Sequence, residues 1–209
     1  MKNNLKMISI IVFYGAIWGI VEASVGYVLH FLPSLIAGTI LFPFASVILY
    51  RAYKQTNSSN SVLGVGIIAA MIKAINLLMP LTNVFKVINP MISILLESLV
   101  VMVVVKSLVK SNWIMKATII SFASITWRAL FLGYLGIQVL TSGYVAVQIQ
   151  SLEAILSFSV VSGLVAAMMS IVMLYVIETP NKLRKPLLHI SPVLSLVSLV
   201  FAIVLTILL

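Results

Sequence analysis

Long apolar runs, separated by short basic or polar links, constrain this chain more than any other feature. A helix needs about 20 predominantly apolar residues to cross the hydrocarbon core of a bilayer. By that measure the sequence predicts about seven spans, at residues 8–31, 34–53, 62–85, 89–109, 114–140, 152–177 and 190–209. Inside hydrocarbon every backbone polar group must be satisfied within the protein, so the expected fold is all-α, a polytopic transmembrane helical bundle. Only 8% of the residues are charged and 62% are hydrophobic, which leaves no stretch from which a soluble domain could be built.

Prolines and polar links punctuate these runs. Pro33 follows the first, Pro90 opens the fourth, Pro180 ends the sixth and Pro192 opens the seventh. The one soluble-looking link is Gln55–Ser61, QTNSSNS, which reads as a polar turn. Residues 1–178 form the expected six-helix core. Residues 179–209 add a basic loop and a last helix, plainly aliphatic apart from Ser195 and Ser198, that reads as peripheral.

The formal net charge of +9 invites a nucleic-acid reading, but position opposes it. Lys2, Lys6, Arg51, Lys54, Lys106, Lys110, Lys116, Lys182, Arg184 and Lys185 fall on one side of the predicted spans. The other side carries His30, Lys86 and the uncharged stretch Thr141–Ser151, an excess of ten basic residues against one. That asymmetry is a topology signal, so the first side is expected to be cytoplasmic. The chain reads as a multi-pass protein of the cell membrane, N-terminus inside and C-terminus outside. Lys2 and Lys6 before an apolar run resemble a signal peptide, but the run continues past Glu22 to Leu32 without a small-residue cleavage site. A retained first helix is expected.

The polar residues inside the runs carry the functional expectation. Ile67–Asn89 reads as a membrane-spanning stretch with Lys73 and Asn76 near mid-depth, where a bare ammonium costs roughly 2.5–3.5 kcal/mol on insertion scales. Helical rise places Glu22 about two-thirds of the way outward, Arg128 near the middle and Glu97 about a third of the way in from the outer face. Glu153 falls at the outer mouth of the sixth span. Ionisable groups from five helices thus converge on the middle and outer half. Intramembrane charges mark sites by default, which favours an outward pocket for a small polar or zwitterionic solute. Trp18, one turn before Glu22, and Trp127, beside Arg128, supply aromatic faces, and Tyr27 and His30 could close the outer end.

The plainer reading pairs Lys73 with Glu97 and Arg128 with Glu22 as buried ion pairs that set helix register. Glu153, near a helix start, is as readily a terminal carboxylate as a ligand contact, and Trp113 reads as an interfacial belt residue. Small residues repeat every four positions at Gly15, Gly19 and Ala23, at Gly66, Ala70 and Ala74, and at Ser159, Gly163 and Ala167, which permits close helix packing within the chain or against a partner. With no cysteine, no aspartate and two histidines, neither a disulfide nor a metal site is expected, and no phosphate loop or hydrolase motif occurs.

The Gly15–Gly19–Ala23 stripe, together with the polar set on the first, third, fourth, fifth and sixth spans, resembles the substrate-binding S component of an energy-coupling-factor transporter. The resemblance covers about residues 1–178. It implies a vitamin- or micronutrient-binding subunit that docks on a transmembrane coupling protein, driven by ATPase subunits, with the stripe in place of the family's alanine docking motif. It implies no enzyme activity and no cofactor. Arg128 and Lys73 would then hold a carboxylate or phosphate of the ligand, and Glu22 and Glu97 its ammonium, hydroxyl or ring N–H groups. A stand-alone ion-coupled transporter, an intramembrane lipid-acting enzyme and a structural subunit remain open as alternatives.

Overall fold

The computed structural model describes residues 2–29, 34–80, 83–178 and 190–209; His30, Pro33, Pro180, Lys182, Arg184 and Lys185 lie outside them. Besides a short 3-10 turn Val147–Ile149, the described residues form seven long helical segments and no strand. These are α1 Lys2–Leu29, α2 Ser34–Thr56, α3 Ser59–Ala74 with a 3-10 turn Ile75–Leu78, α4 Phe85–Lys110, α5 Trp113–Ser142, α6 Leu152–Glu178 and α7 Pro192–Leu208. Five stretches, Asn4–Leu29, Ser59–Leu78, Phe85–Lys110, Trp113–Ser142 and Leu152–Glu178, are long and apolar enough to cross a membrane. The chain is thus all-helical and fits a multi-pass membrane protein.

The ends of these helices have local causes. Asn57 adopts φ 51°, a left-handed conformation that asparagine tolerates well, and its N–H donates to the Tyr53 carbonyl at 2.7 Å. The break between α2 and α3 is therefore only residues 57–58, and most of the QTNSSNS link is helical. Asn112 caps α5 by accepting from the Met115 N–H at 3.0 Å, and Gly143 closes it at φ 71°. Ser151 and Ser191 cap α6 and α7 in the same way.

One sequence expectation is corrected here. Ile67–Asn89 is two elements, because the third helical stretch ends at Leu78 and the fourth begins at Phe85. Pro80 explains the break. It has no N–H to continue the ladder and it drives the preceding residue out of the helical region, as Met79 shows at φ −91°, ψ 155°. Asn83 then accepts from the Phe85 N–H at 2.9 Å and starts α4. Lys73 consequently lies in the last turn of α3 rather than mid-helix, and Pro90 lies inside α4 rather than at its opening.

The helices pack in a closed ring. α1 contacts α2 and α3, α3 contacts α4, α4 contacts α5, α5 contacts α6, and α6 returns to α2; α7 lies outside against α1. The core joins Trp18, Phe42, Leu49, Val62, Ile94 and Trp127 among other buried side chains. Ser195 Oγ donates to the Ser9 carbonyl at 2.7 Å, a polar tie between α7 and α1.

The glycine stripe on α1 is consumed inside this ring. A Cβ at Gly15 would sit 2.5 Å from Ile68 Cβ, and one at Gly19 would sit 2.8 Å from Ile72 Cδ1. Both glycines let α1 approach α3 closely, Ala23 is buried, and Ala16 is covered by Ala202 of α7. Gly15, Gly19 and Ala23 therefore do not present the open docking face expected of them. Gly66 meets Ser98 of α4 in the same manner. At the basic end, Lys116 Nζ pairs with Glu178 Oε2, linking the start of α5 to the end of α6, and sits 4.7 Å from the Trp113 ring centroid.

Candidate functional site

Towards the opposite end, the ring encloses a cavity of about 370 Å³ between all six of its helices and the loop after α5. α1 contributes Glu22 and Gly26, α2 contributes Gly38 and Leu41, and α3 contributes Lys73. α5 contributes Trp127 and Phe131, α6 contributes Phe158, and the loop contributes Tyr144, Val147 and Gln148.

The polar wall is α4. Asn89, Ser93 and Glu97 recur every four residues, so helical geometry stacks them on one face, and all three line the cavity. Ser93 Oγ donates to Glu97 Oε1 at 3.2 Å, and the Tyr134 hydroxyl donates to Asn89 Oδ1 at 3.1 Å. Glu97 is only 4% exposed, yet among the described residues its Oε2 has no hydrogen-bond donor. Glu22, 8% exposed, accepts from Trp18 Nε1 at 3.4 Å. Neither carboxylate has an ion-pair partner within 4.0 Å among the described residues. The charges of Lys73 on Glu22, and of Glu22 and Arg128 on Glu97, act across longer gaps.

Arg128 does not join this wall. It is fully buried behind Trp127, with its guanidinium carbon 4.4 Å from that ring's centroid. Nη1 donates to the Ser124 carbonyl and to Ser124 Oγ, both at 2.8 Å, and Nη2 donates to the Gly38 carbonyl at 2.9 Å. Gly38 lies against Trp127, where an added Cβ would meet the ring at 3.5 Å. Ser124 Oγ in turn donates to the Gly163 carbonyl at 2.8 Å. Arg128 thus ties α5 to α2, and through Ser124 to α6. Its expected role as a direct ligand contact is replaced by support of the aromatic wall.

The other sequence-selected residues divide. Glu22, Lys73, Glu97 and Trp127 line the cavity together. Trp18 is fully buried and reaches the site only through Glu22. Asn76, displaced by the early end of α3, lies in the 3-10 turn outside the lining, with Oδ1 unbonded. Glu153 is exposed in the first turn of α6 and borders a separate shallow recess with Leu152 and Ser157. The expected Lys73–Glu97 and Arg128–Glu22 contact pairs are absent among the described residues.

Several lining residues escape a sequence reading. Asn89 and Ser93 share the four-residue spacing of Glu97, a signal that was there to be found. Tyr144 and Gln148 come from a loop whose course no pattern announces. Phe158 depends on a π-helical turn, Ser157–Val161, which widens α6 locally. Trp127 stacks with Phe42 at 5.9 Å and meets Phe158 edge-on at 6.0 Å, while its own Nε1 lacks an acceptor. No protein family, curated protein or solved structure compared with the chain matches it, so its function is argued from this site.

Proposed function

We propose that the chain is a membrane-embedded binding subunit for the uptake of a small polar solute, similar to an S component of an energy-coupling-factor transporter. The observation that carries the reading is Glu97, a carboxyl group buried in a cavity wall with one oxygen left without a donor among the described residues. A buried acceptor without a partner is costly, and a ligand N–H or O–H would remove that cost on binding. Trp127, in the same wall, has a buried Nε1 that likewise lacks a partner among the described residues, and a volume of about 370 Å³ falls in the small-molecule range. In this reading the chain crosses the membrane about seven times with its basic end cytoplasmic, and the cavity faces outward. Coupling-protein and ATPase partners belong to the same proposal, but would dock on a surface other than the Gly15–Gly19 stripe.

Native mass spectrometry of the gently purified protein tests this reading. A water-soluble metabolite retained by the wild type and lost from Glu97→Gln is the expected result. Lipid alone on both proteins would refute it.

A second reading draws on Glu22 and Glu97 as two unpaired buried carboxylates, which suit a stand-alone ion-coupled transporter. Solute uptake by vesicles containing this chain alone, abolished by collapsing the ion gradient, would select it.

A further inference from the structure

Charge in the cavity is segregated by depth. Glu22 and Glu97 are 8% and 4% exposed, whereas Lys73 is half-buried and Lys86, in the first turn of α4, is exposed. The deep end therefore presents two carboxyl groups in the lining of one cavity, and the rim presents two ammonium groups. Arg128 offsets part of the deep negative charge but donates no hydrogen bond to either carboxylate.

Two carboxyl groups that line one cavity away from bulk water suit a ligand cation held between them. The walls discriminate among cations. Among the described residues no group of three or more His, Cys, Asp or Glu gathers, so the side-chain set of a transition-metal site is missing. The surrounding surface is aromatic instead: Trp127, Phe131 and Phe158 on one side, and the stacked Phe85–Tyr144 pair, 4.8 Å between centroids, near the loop. Flat delocalised cations lie well against such rings, and their several N–H groups can reach two carboxylates at once.

We infer that the cavity takes a small organic zwitterion that enters cation-first, with a planar amidinium- or guanidinium-type head between Glu22 and Glu97 and an anionic group against Lys73 and Lys86. The inference rests on the solute-binding reading above and adds the class and direction of the ligand. Glu97 Oε2 receives its missing donor from the head group, and the rim lysines hold the tail at the end from which the solute arrives.

Three rigid compounds test it by calorimetric titration of the full chain in nanodiscs. 4-Amidinobenzoate carries both charges, benzamidine only the cation, and benzoate only the anion. The expected order is 4-amidinobenzoate tightest, benzamidine about tenfold weaker, and benzoate about a hundredfold weaker or not bound. Lys86→Met and Lys73→Met should each shrink the advantage of 4-amidinobenzoate over benzamidine, and Glu97→Gln should weaken both amidines by about a hundredfold. The wild-type ranking needs no variant, so it stands even if a substitution impairs folding. Benzoate binding as well as benzamidine would overturn the inference, as would amidines bound equally by wild type and a folded Glu97→Gln, or no binding of any of the three. A metabolite retained in native mass spectrometry alongside such a result would leave the solute-binding reading intact; neither metabolite nor compound bound would sink both.

Discussion

Arg128 and Glu97 are both ionisable side chains buried in the ring, yet the protein treats them oppositely. Arg128 makes three hydrogen bonds to α2 and α5 and lies against Trp127, with Phe42 and Phe158 close by. Glu97 lines the cavity, accepts one bond from a serine on its own helix, and has a second, buried oxygen with no hydrogen-bond partner among the described residues. A buried cation anchored by three hydrogen bonds to two helices, with Nε left unpartnered among the described residues, holds structure together. A carboxyl group in a cavity wall, held by one bond on its own helix, is available to something that arrives. Residue type does not make this distinction. Surroundings do.

The comparison breaks first at Arg128. Arg128→Met leaves the Gly38 carbonyl without its charged donor and loosens the α2–α5–α6 tie, so stability should fall by about 3 kcal/mol or more, read as a drop in the thermal midpoint in detergent. Arg128→Lys should recover little of this, because one ammonium cannot span Ser124 and Gly38 as the planar fork does. Full stability in Arg128→Met would erase the contrast.

Glu97→Gln should do the reverse. Removing a buried charge that lacks a contact partner should leave the midpoint unchanged or raise it, by up to about 1 kcal/mol, while solute binding is lost. A large destabilisation would make Glu97 structural after all.

Smaller effects sharpen the picture of the ring. Gly19→Val should cost about 1–3 kcal/mol through collision with Ile72 on α3, measurable by the same thermal scan. Gly136→Ala, where a Cβ meets nothing within 4 Å, should stabilise α5 by about 0.5–1 kcal/mol. Glu153→Gln, in the exposed first turn of α6, should leave solute retention within error in native mass spectrometry.

Much of the fold was legible because bilayer thickness and backbone satisfaction dictate apolar runs of a recognisable length. The helical course of α1, α4, α5 and α6 follows from those runs within a few residues. Pro80 escapes a hydropathy reading, which rises and falls too slowly to register one missing N–H. At the site, Glu22, Lys73, Glu97 and Trp127 are legible as charged or aromatic residues in apolar helices. The same signal picks out Arg128 but not its place outside the lining, because sequence reveals a charge and not its bonds to Ser124 and Gly38. Asn89 and Ser93 are uncharged and raise no such signal, although their spacing from Glu97 is visible in the sequence.

The π-helical turn at Ser157–Val161 sets the register of α6 on either side of it. A helix turns about 100° per residue, so one extra residue in that turn offsets Phe158 from Gly163 by roughly that angle relative to an unbroken α-helix. Gly163 anchors the lower half through its carbonyl bond from Ser124, while Phe158 faces the cavity. A single-residue deletion here would keep α6 helical and long enough to cross a membrane, yet would swing Phe158 away from Trp127. In evolutionary terms the helix carries a one-residue dial, through which a lineage could reshape its ligand chamber by insertion or deletion without altering a single side chain that lines it.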